Sequence, residues 1–239
     1  MEETTGQAPL CCDRPVPGVL RVRLDRPERR NALDRPMLDA LHDVFAAPGE
    51  PIVVLGSTSR DAFCAGADLR LADDERATVS DRLYDLYGRM TASDAIVVAA
   101  LDGPAVGGGA QLAIAADLRI ASAGARIQVA GPGHGLAVAA WGLPSLVGRG
   151  RAMDLCLTMR AVGAEEALAI GLVDRFVDDA AAGALALAAE LAALDPAAAA
   201  RVKHVAWGAA RALEALESER AGNRAAWSGS MVRAEAARG

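Results

Sequence analysis

Three consecutive glycines, Gly107 to Gly109, are the feature of this sequence with the clearest chemical potential. They follow an apolar, β-branched run from Val97 that predicts a buried strand, and an Ala/Leu/Ile-rich helical pattern begins directly after them. The first backbone N–H groups of a helix have no partner within the helix and stabilise negative charge. Because glycine has no side chain, a ligand can approach these groups closely. The stretch therefore predicts a turn that can hold an anion or a developing oxyanion.

The function of this turn has two open interpretations. A dinucleotide-binding fingerprint is excluded, because G-x-G-x-x-G starting at Gly107 requires glycine where Leu112 stands. In the first remaining interpretation, one N–H of the turn and one from elsewhere form an oxyanion hole. In the second, the glycines only let a tight turn pack closely against a neighbouring segment.

A second stretch repeats the pattern. Residues 52–55 predict a short buried strand, and after a loop the small-residue segment 63–69 offers backbone N–H groups in the same way. Two such turns extending from one sheet would direct two N–H donors at one oxygen atom. That geometry holds a thioester carbonyl while it becomes an enolate.

The elements that must position these turns predict an α/β fold. Asp34 is the expected N-cap of a first helix, with Met37, Leu38 and Leu41 on its apolar face. The polar residues 70–80 predict a mobile segment. Further strands are predicted at 19–24, 118–121 and within 171–177, and further helices at 79–93, 149–159, 164–170, 180–193 and 196–215. The expected organisation is a flexible lead-in at 1–17, a core at 18–178 and a helical C-terminal region at 179–239.

The composition excludes several classes of function. The 239 residues are 52% hydrophobic, enough for a substantial core, and the net charge of −6 argues against a nucleic-acid partner. No uncharged run of 18 apolar residues predicts a membrane span, and the acidic start has no signal-peptide pattern, so a cytoplasmic protein is expected. The four cysteines form no C-x-x-C pair and the three histidines are scattered, so neither disulfides nor a metal site is predicted.

Several motifs in order resemble the enoyl-CoA hydratase/isomerase (crotonase) family over about residues 19–207. The matching segments are RPERRNAL at 26–33, FCAGADL at 63–69, GPAVGGGAQLA at 103–113, ADLRIA at 116–121 and AEEALAIGLV at 164–173. The resemblance implies a crotonase-like α/β spiral of ββα units whose helical C-terminal region forms trimers, often paired into hexamers. It also implies that the protein binds coenzyme A thioesters and holds no tightly bound cofactor. The expected partners are therefore acyl-CoA and further copies of the chain.

The resemblance assigns the two oxyanion donors to the backbone N–H groups of Ala67 and Gly108. Contacts to coenzyme A are carried over to the loop Arg30, Asn31, Ala32 and Leu33 and to Ala65, Asp68 and Leu69; Arg29, Gly107 and Trp141 are further expected contacts to coenzyme A or substrate. Arg29 and Arg30 can meet phosphate as charged donors or belong to a solvated loop. Asp68 can contact a ligand or cap a helix.

The sequence departs from the hydratases of this family at both proton-transferring positions. Those enzymes use two glutamates as general base and general acid, and the corresponding positions here are Gln111 and Gly131, with no Asp or Glu from 118 to 153. An amide orients water but does not exchange protons usefully near neutral pH. His134 is a candidate base or a loop residue bonded to backbone. Trp141 is expected to line the core or an acyl pocket.

Three functions remain open at this point. The first is an enzyme that uses the oxyanion hole with a base other than glutamate, and the second is a non-catalytic protein that binds and delivers acyl-CoA. A peptidase-like relative ranks last, because Ser122 and Ser145 lie in no motif of a nucleophilic serine. Lys203, the sole lysine, is a candidate coenzyme A contact or an exposed helix residue.

Overall fold

The computed structural model describes residues 8–227, apart from the side chains of Asp73 and Ala209. The strands are β1 (Leu10–Val16), β2 (Val19–Leu24), β3 (Ile52–Ser57), β4 (Ile96–Leu101), β5 (Pro104–Val106), β6 (Leu118–Ala121), β7 (Arg126–Gln128), β8 (Val162–Gly163) and β9 (Arg175–Phe176). The helices are α1 (Arg35–Ala46), α2 (Asp73–Ala92), α3 (Gly108–Ile114), α4 (Leu143–Val147), α5 (Arg149–Thr158), α6 (Ala164–Ala169), α7 (Ala180–Ala192), α8 (Pro196–Trp207) and α9 (Ala209–Ala226). Short 3₁₀ helices lie at Pro27–Arg29 and Pro132–His134.

A six-stranded sheet in the order β1-β2-β3-β4-β6-β9 forms the centre of the fold. β1 is antiparallel to β2, whereas the other neighbouring strands are parallel. A second sheet has the order β5-β7-β8. Because β3 and β4 are parallel neighbours, the segments that follow them leave the same edge of the sheet. The predicted α/β class is confirmed, and the two small-residue turns start from adjacent strands.

Both faces of the large sheet are buried. Val53 and Val97 belong to a core shared with α1, α2 and α3. On the other face, Val54 packs with Ala184 and Leu187 of α7. Strands covered on both faces carry near-continuous apolar runs, which explains the composition of β3 and β4. Because α7 covers this second face of the sheet, the hydrophobic packing continues past residue 178, where the sequence analysis places the end of the core.

Helix α1 begins at the predicted residue. The side chain of Asp34 accepts a 3.0 Å hydrogen bond from the backbone N–H of Met37 and so caps the helix. Pro36 lies in the first turn, where its missing N–H costs nothing. Leu38 and Leu41 are buried against the core, as the apolar spacing predicts.

The N-terminal segment and the start of α2 correct the sequence analysis. Residues 10–16 form an edge strand paired with β2, although they were expected within a flexible lead-in; residues 1–7 of that lead-in lie outside the described residues. The expected mobile segment 70–80 is helical from Asp73 onward. Burial of Arg76 and Val79 ties this polar first part of α2 to the core and explains its order.

The predicted helix at 196–215 is two helices rather than one. Gly208 adopts a left-handed conformation with φ 55°, and its N–H donates to the carbonyl of Val205, so α8 ends there and α9 begins at the next residue. None of the described helices alone is long and apolar enough to cross a membrane. Helices α7 and α8 meet that criterion only when taken together, and a bend of 114° separates them.

Candidate functional site

The two small-residue turns are the glycine turn at 107–109 and the second turn at 63–69. They pack against each other along β5. Cys64 forms a parallel bridge with Ala105, and the N–H groups of Phe63 and Cys64 both donate to the carbonyl of Pro104. The N–H of Val106 donates in return to the carbonyl of Cys64 at 2.9 Å. The turn that follows β3 and the turn that follows β4 are therefore parts of one hydrogen-bonded unit.

Glycines make this close approach possible. A Cβ atom at Gly66 would lie 2.7 Å from the carbonyl oxygen of Val106 and 3.2 Å from the backbone nitrogen of Gly108. A Cβ atom at Gly109 would lie only 2.2 Å from the carbonyl oxygen of Cys64. Real side chains do not reach such distances, so two of the glycines are packing requirements. The interpretation of the glycine triplet as a tight, closely packed turn is correct for Gly109, and Gly66 in the other turn has the same packing role.

Two backbone N–H groups stay uncommitted where the turns meet. Within residues 8–227, the N–H groups of Ala67 and Gly108 donate to no acceptor, and both residues line the same cavity. Gly107 has φ 53° and ψ −116°, a conformation that glycine tolerates and that orients the peptide carrying the Gly108 N–H. The hydroxyl of Tyr87 donates to the Gly108 carbonyl at 2.8 Å and fixes the start of α3. The site thus has two fixed donors beside a cavity.

The cavity beside these donors has a volume of about 140 Å³. Its lining comes from the second turn, the glycine turn, α2, the 130–138 loop and the end of α9. The lining residues are Ala65, Gly66, Ala67, Leu69, Arg76, Ser80, Leu83, Tyr84, Val106, Gly107, Gly108, Gln111, Ala130, His134, Leu136, Val138, Asn223 and Trp227. Six residues of the sequence-predicted site are therefore brought together with Gln111: Ala65, Ala67, Leu69, Gly107, Gly108 and His134.

The side chain of Gln111 is held in one orientation. Its Oε1 accepts a 3.0 Å hydrogen bond from the backbone N–H of Ala139 and a 2.9 Å bond from the indole Nε1 of Trp141. Both partners can only donate, so the bonded atom must be the amide oxygen. The amide nitrogen is a donor and hydrogen-bonds with the hydroxyl of Tyr84, another residue that lines the cavity. Gln111 therefore offers no acceptor there for positioning a nucleophilic water.

A buried carboxylate that the sequence analysis missed lies behind Gln111. Glu219 of α9 accepts hydrogen bonds from the Tyr84 hydroxyl at 2.7 Å, the Ala139 N–H at 3.0 Å and the Trp141 N–H at 2.9 Å. Burial raises the pKa of Glu219 above its ordinary value, although these hydrogen bonds act in the opposite direction. Burial and the nearby Glu219 also raise the pKa of Tyr84. Glu219 therefore connects α9 to residues 139–141, the loop that also hydrogen-bonds the side chain of Gln111.

Asn223 lies one turn after Glu219 on α9 and adds further hydrogen bonds to Tyr84 and Ala137. Its Nδ2 donates to the Tyr84 hydroxyl and to the carbonyl of Ala137, and its Oδ1 accepts from the Ala137 N–H at 2.8 Å. Leu216, Glu219 and Asn223 are the buried residues on one face of α9. Their i, i+3, i+7 spacing was the sequence signal that could have revealed this face.

The loop at 26–33, here called the arginine loop, borders a second, open cavity of about 200 Å³. It is lined by Glu28, Arg29, Arg30, Ala32, Asp68 and Arg70. The N–H of Ala65 donates to the carbonyl of Arg30, and the N–H of Leu33 donates to the carbonyl of Gly66, so this loop runs beside the second turn. Arg29 and Arg30 are exposed at the surface, where they can meet phosphate. Arg70 adds a third cation that sequence reasoning missed.

Asn31 explains why the arginine loop has its shape. It is fully buried with φ 54°, in the left-handed region, and Arg30 before it has φ 50°. Its Nδ2 donates to the Ser57 hydroxyl and to the carbonyls of Ala62 and Phe63, while its Oδ1 accepts from the Arg26 N–H. A buried asparagine therefore fixes the backbone that presents the two arginines.

Three residues carried over from the resemblance or expected at the site do not line the 140 Å³ cavity, although Asp68 lines the open cavity beside the arginines. Asp68 lies 3.8 Å from Arg26 as an ion pair and accepts from the Arg70 N–H. The side chain of Leu33 is fully buried in the core. Trp141 is buried between Tyr87 and Trp207, with ring centroids 6.0 Å and 6.3 Å away. Of the two environments expected for Trp141, the structure has the core.

Gly131 is buried and, in the described part of the chain, does not line the cavity. A Cβ atom there would lie 2.7 Å from the carbonyl oxygen of Leu136 and from the side chain of Val138. His134 does line the cavity, and its ring has no hydrogen-bond partner within residues 8–227. The backbone-bonded alternative for His134 therefore finds no such bond in the described structure.

Cys64, in the second turn, is a buried thiol. Burial raises the pKa of the Cys64 thiol to about 12, so it stays protonated at neutral pH and is a poor nucleophile. All four cysteines are free thiols. Among the described residues no cluster of three or more His, Cys, Asp or Glu side chains could hold a metal ion.

Comparison with solved structures defines the class of this fold. An enoyl-CoA hydratase/isomerase from Xanthobacter autotrophicus Py2 superposes with a TM-score of 0.82 and 28% identity, covering 98% of this chain and 94% of that one. An enoyl-CoA hydratase from Bacillus anthracis gives a TM-score of 0.76 and 27% identity, covering 87% and 90%. The fold is therefore that of the crotonase-like proteins.

The sequence comparisons identify the family. The family model "Enoyl-CoA hydratase/isomerase" matches residues 16–234, and the chain belongs to the enoyl-CoA hydratase/isomerase family. The Mycobacterium bovis protein named "Probable enoyl-CoA hydratase echA6" is 41% identical over 194 residues, covering 78% of each chain. "Probable enoyl-CoA hydratase echA12" of the same organism is 37% identical over 186 residues, covering 70% of this chain and 65% of the relative.

Proposed function

We propose that this protein binds acyl-CoA thioesters and polarises the thioester carbonyl between the backbone N–H groups of Ala67 and Gly108. The observation that carries the proposal is the junction of the two turns, where both N–H groups border one cavity and donate to nothing in residues 8–227. Fixed donors aimed at a site of developing negative charge need no reorganisation when that charge forms.

The arginine loop supplies the second part of the proposal. Arg29, Arg30 and Arg70 surround the open cavity beside the second turn, and the phosphates of coenzyme A are suitable anionic ligands for them. Segment 65–70 contributes residues to both cavities. A ligand with a phosphate-rich end and an acyl thioester end can therefore occupy both along one path. We place this protein in cytoplasmic acyl-CoA metabolism, where its cysteines stay free thiols.

Ordinary hydration of a double bond is not the chemistry we propose. Hydration needs a base and an acid on the reacting carbons, and we take Gln111 and Gly131 as replacements for the two glutamates that hydratases use. Gln111 has its oxygen engaged by Ala139 and Trp141, and Glu219 is separated from the cavity by Tyr84. His134 is the cavity residue that remains suited to proton transfer.

A non-catalytic acyl-CoA binding and delivery protein is the second candidate. It is favoured by the same locked orientation of Gln111, because a binding site needs the N–H donors but no proton carrier. Turnover of acyl-CoA substrates separates the two candidates, whereas both require binding.

Calorimetry with butyryl-CoA tests the proposal directly. Two variants at one position form a matched pair: Gly108→Pro removes the N–H, whereas Gly108→Ala keeps it. Position 108 is the first residue of α3, where proline is tolerated, and the alanine Cβ would meet mainly the movable end of Leu83 at 3.1 Å. We expect the proline variant to bind at least about tenfold more weakly than the alanine variant. Equal affinity in two folded variants would contradict the assignment of this donor.

A further inference from the structure

The cavity beside the two uncommitted N–H groups has the capacity of a short acyl chain. Its volume is about 140 Å³, and the apolar side chains that line it include Leu69, Leu83, Val106, Leu136 and Val138. An engineered apolar cavity of about 150 Å³ in another protein holds one benzene molecule, which has six carbon atoms. By this comparison, an acyl chain of about six carbons, counted from the thioester carbonyl, fills the cavity.

Four residues separate this cavity from a groove between α2 and α9. The groove has a volume of about 340 Å³. The residues that line both the cavity and the groove are Ser80, Tyr84, Asn223 and Trp227, and we call these four residues the end wall. In this direction, an acyl chain longer than the cavity has to pass the end wall to reach the groove.

Hydrogen bonds hold two residues of the end wall in place. The Tyr84 hydroxyl donates to Glu219 at 2.7 Å and accepts from the Asn223 amide at 2.8 Å. Gln111 makes a further hydrogen bond to Tyr84. The Nδ2 of Asn223 also donates to the carbonyl of Ala137 at 2.6 Å, and its Oδ1 accepts from the N–H of that residue at 2.8 Å. Displacing either side chain would break several hydrogen bonds, which are costly to leave unmade in a buried place.

The groove beyond the end wall is unfavourable for an alkyl chain. Its lining includes Asp81, Arg220 and Arg224. Arg220 forms ion pairs with Asp81 at 3.1 Å and with Asp85 at 2.6 Å, and Arg224 pairs with Asp81. Methylene groups placed against these side chains would displace water from charged groups without replacing its hydrogen bonds. An acyl chain that reached the groove would therefore gain little affinity there.

We infer that this site selects acyl groups of up to about six carbons, and that Tyr84 and Asn223 set this limit. The ligand class is then the coenzyme A thioester of a short-chain acid. Each methylene group buried in the cavity should raise the affinity about fourfold, whereas methylene groups beyond the limit should not. This inference rests on the proposed binding of acyl-CoA and specifies the acyl length for that site.

Calorimetry on the full chain with coenzyme A and its butyryl, hexanoyl, octanoyl and decanoyl thioesters tests the inference. In the wild-type protein, affinity should rise about 16-fold from butyryl-CoA to hexanoyl-CoA and by no more than about threefold beyond it. Asn223→Ala shortens one residue of the end wall, so octanoyl-CoA should bind this variant at least about fourfold more tightly than hexanoyl-CoA does. Gly222→Ala is the matched control and should keep the wild-type limit, because a Cβ atom at this exposed position of α9 has open space around it.

Each contrary result has a distinct meaning. A wild-type affinity that keeps rising about fourfold per methylene past hexanoyl-CoA overturns the inference while leaving the proposed function intact, and this comparison needs no variant to fold. A wild-type limit that stays in place in folded Asn223→Ala protein overturns the assignment of the limit to the end wall. Acyl thioesters that bind no more tightly than coenzyme A itself overturn the inference together with the proposed function.

Discussion

The indole Nε1 of Trp141 donates a 2.9 Å hydrogen bond to the side-chain oxygen of Gln111. Together with the bond from the Ala139 N–H, this contact engages the acceptor atom of the Gln111 amide. The amide oxygen is therefore already engaged at the position where, in our proposal, the hydratases carry a proton-transferring glutamate. In the proposed site, the two N–H donors that polarise a thioester carbonyl are present, and the groups that move protons differ from those of the hydratases.

The first prediction concerns hydration of crotonyl-CoA. We expect the native protein to be at least about 10²-fold slower than a family member with both glutamates, because general acid–base catalysis contributes about 10²–10⁴. Gln111→Glu should restore only part of the rate: one carboxylate oxygen can keep the bonds from Ala139 and Trp141, and the other can face the cavity. Steady-state hydration assays measure this. Native turnover of about 10 s⁻¹ or more would contradict the prediction and direct attention to His134.

Gly131→Glu should fail as a complement to Gln111→Glu. A side chain at position 131 would meet the carbonyl of Leu136 and the side chain of Val138 at 2.7 Å, so the loop must shift to admit it. We expect the double variant to be less stable than Gln111→Glu by about 1–3 kcal/mol, as overpacking costs. Urea denaturation measures the difference, and a double variant of unchanged stability would show that the loop adapts freely.

Truncation of Glu219 should loosen α9. Glu219→Ala leaves the Tyr84 hydroxyl and two buried N–H groups without their acceptor, which we expect to cost about 1–3 kcal/mol. The matched control is Glu214→Ala, at an exposed position of the same helix, which should change stability by less than about 0.5 kcal/mol. Urea denaturation of both variants at one pH makes the comparison.

The effect of Glu219 should depend on pH in a defined direction. Burial raises its folded-state pKa, so the folded protein holds the proton more tightly than the unfolded chain. Its contribution to stability is then complete below about pH 4.5 and declines as pH rises through the folded-state pKa. The stability gap between wild type and Glu219→Ala should accordingly be larger at pH 5 than at pH 8. A gap that widens with pH would mean that the hydrogen bonds outweigh the cost of burial.

The arginine loop should affect affinity only through the phosphate end of the ligand. Replacing Arg29 and Arg30 together by alanine should weaken butyryl-CoA binding by about 1–3 kcal/mol. Affinity for butyryl-pantetheine, which lacks the nucleotide phosphates, should not change. Arg35→Ala, an exposed arginine at the start of α1, is the control. Calorimetry giving the same loss with both ligands would place the effect in the fold of the loop.

Exposed apolar residues on the C-terminal helices lead us to expect association. Met153 and Leu157 of α5, Leu168 of α6 and Val202 and Val205 of α8 are exposed in the single chain. Light scattering at micromolar concentration should report a trimer or hexamer. Leu157→Asp and Val205→Asp test the two surfaces separately, and at least one should dissociate the assembly. A monomer in the wild-type protein would exclude this association.

The local chemistry of the site could be predicted from the sequence, whereas its long-range contacts could not. The glycine turn after β4 and the Asp34 cap depend on neighbouring residues, and both agree with the structure. Glu219 contacts Tyr84, which lies 135 positions earlier in the sequence. No local pattern predicts which helix will cover the cavity. The sequence predicts one continuous helix across Gly208, because helical propensity outweighs one glycine, whereas the structure ends α8 there.

Lys203 illustrates the same limit. The sequence analysis considered it a coenzyme A contact or an exposed helix residue, and both expectations are wrong. Its Nζ is buried and donates to the carbonyls of Met90 and Ala95, with Asp117 at 3.0 Å. Burial lowers its pKa while Asp117 acts to raise it. The sequence around a single lysine in an amphipathic helix does not indicate that it will form an ion pair with a carboxylate more than eighty residues earlier.

The measurement that tests the central claim most directly is the infrared carbonyl frequency of butyryl-CoA carrying ¹³C at the thioester carbonyl. If the N–H groups of Ala67 and Gly108 donate to that oxygen, the C=O bond weakens, and its stretching band should move to lower frequency when the ligand is bound. The shift should be smaller in Gly108→Pro and retained in Gly108→Ala. A bound ligand whose carbonyl band stays at its position in water would contradict the account.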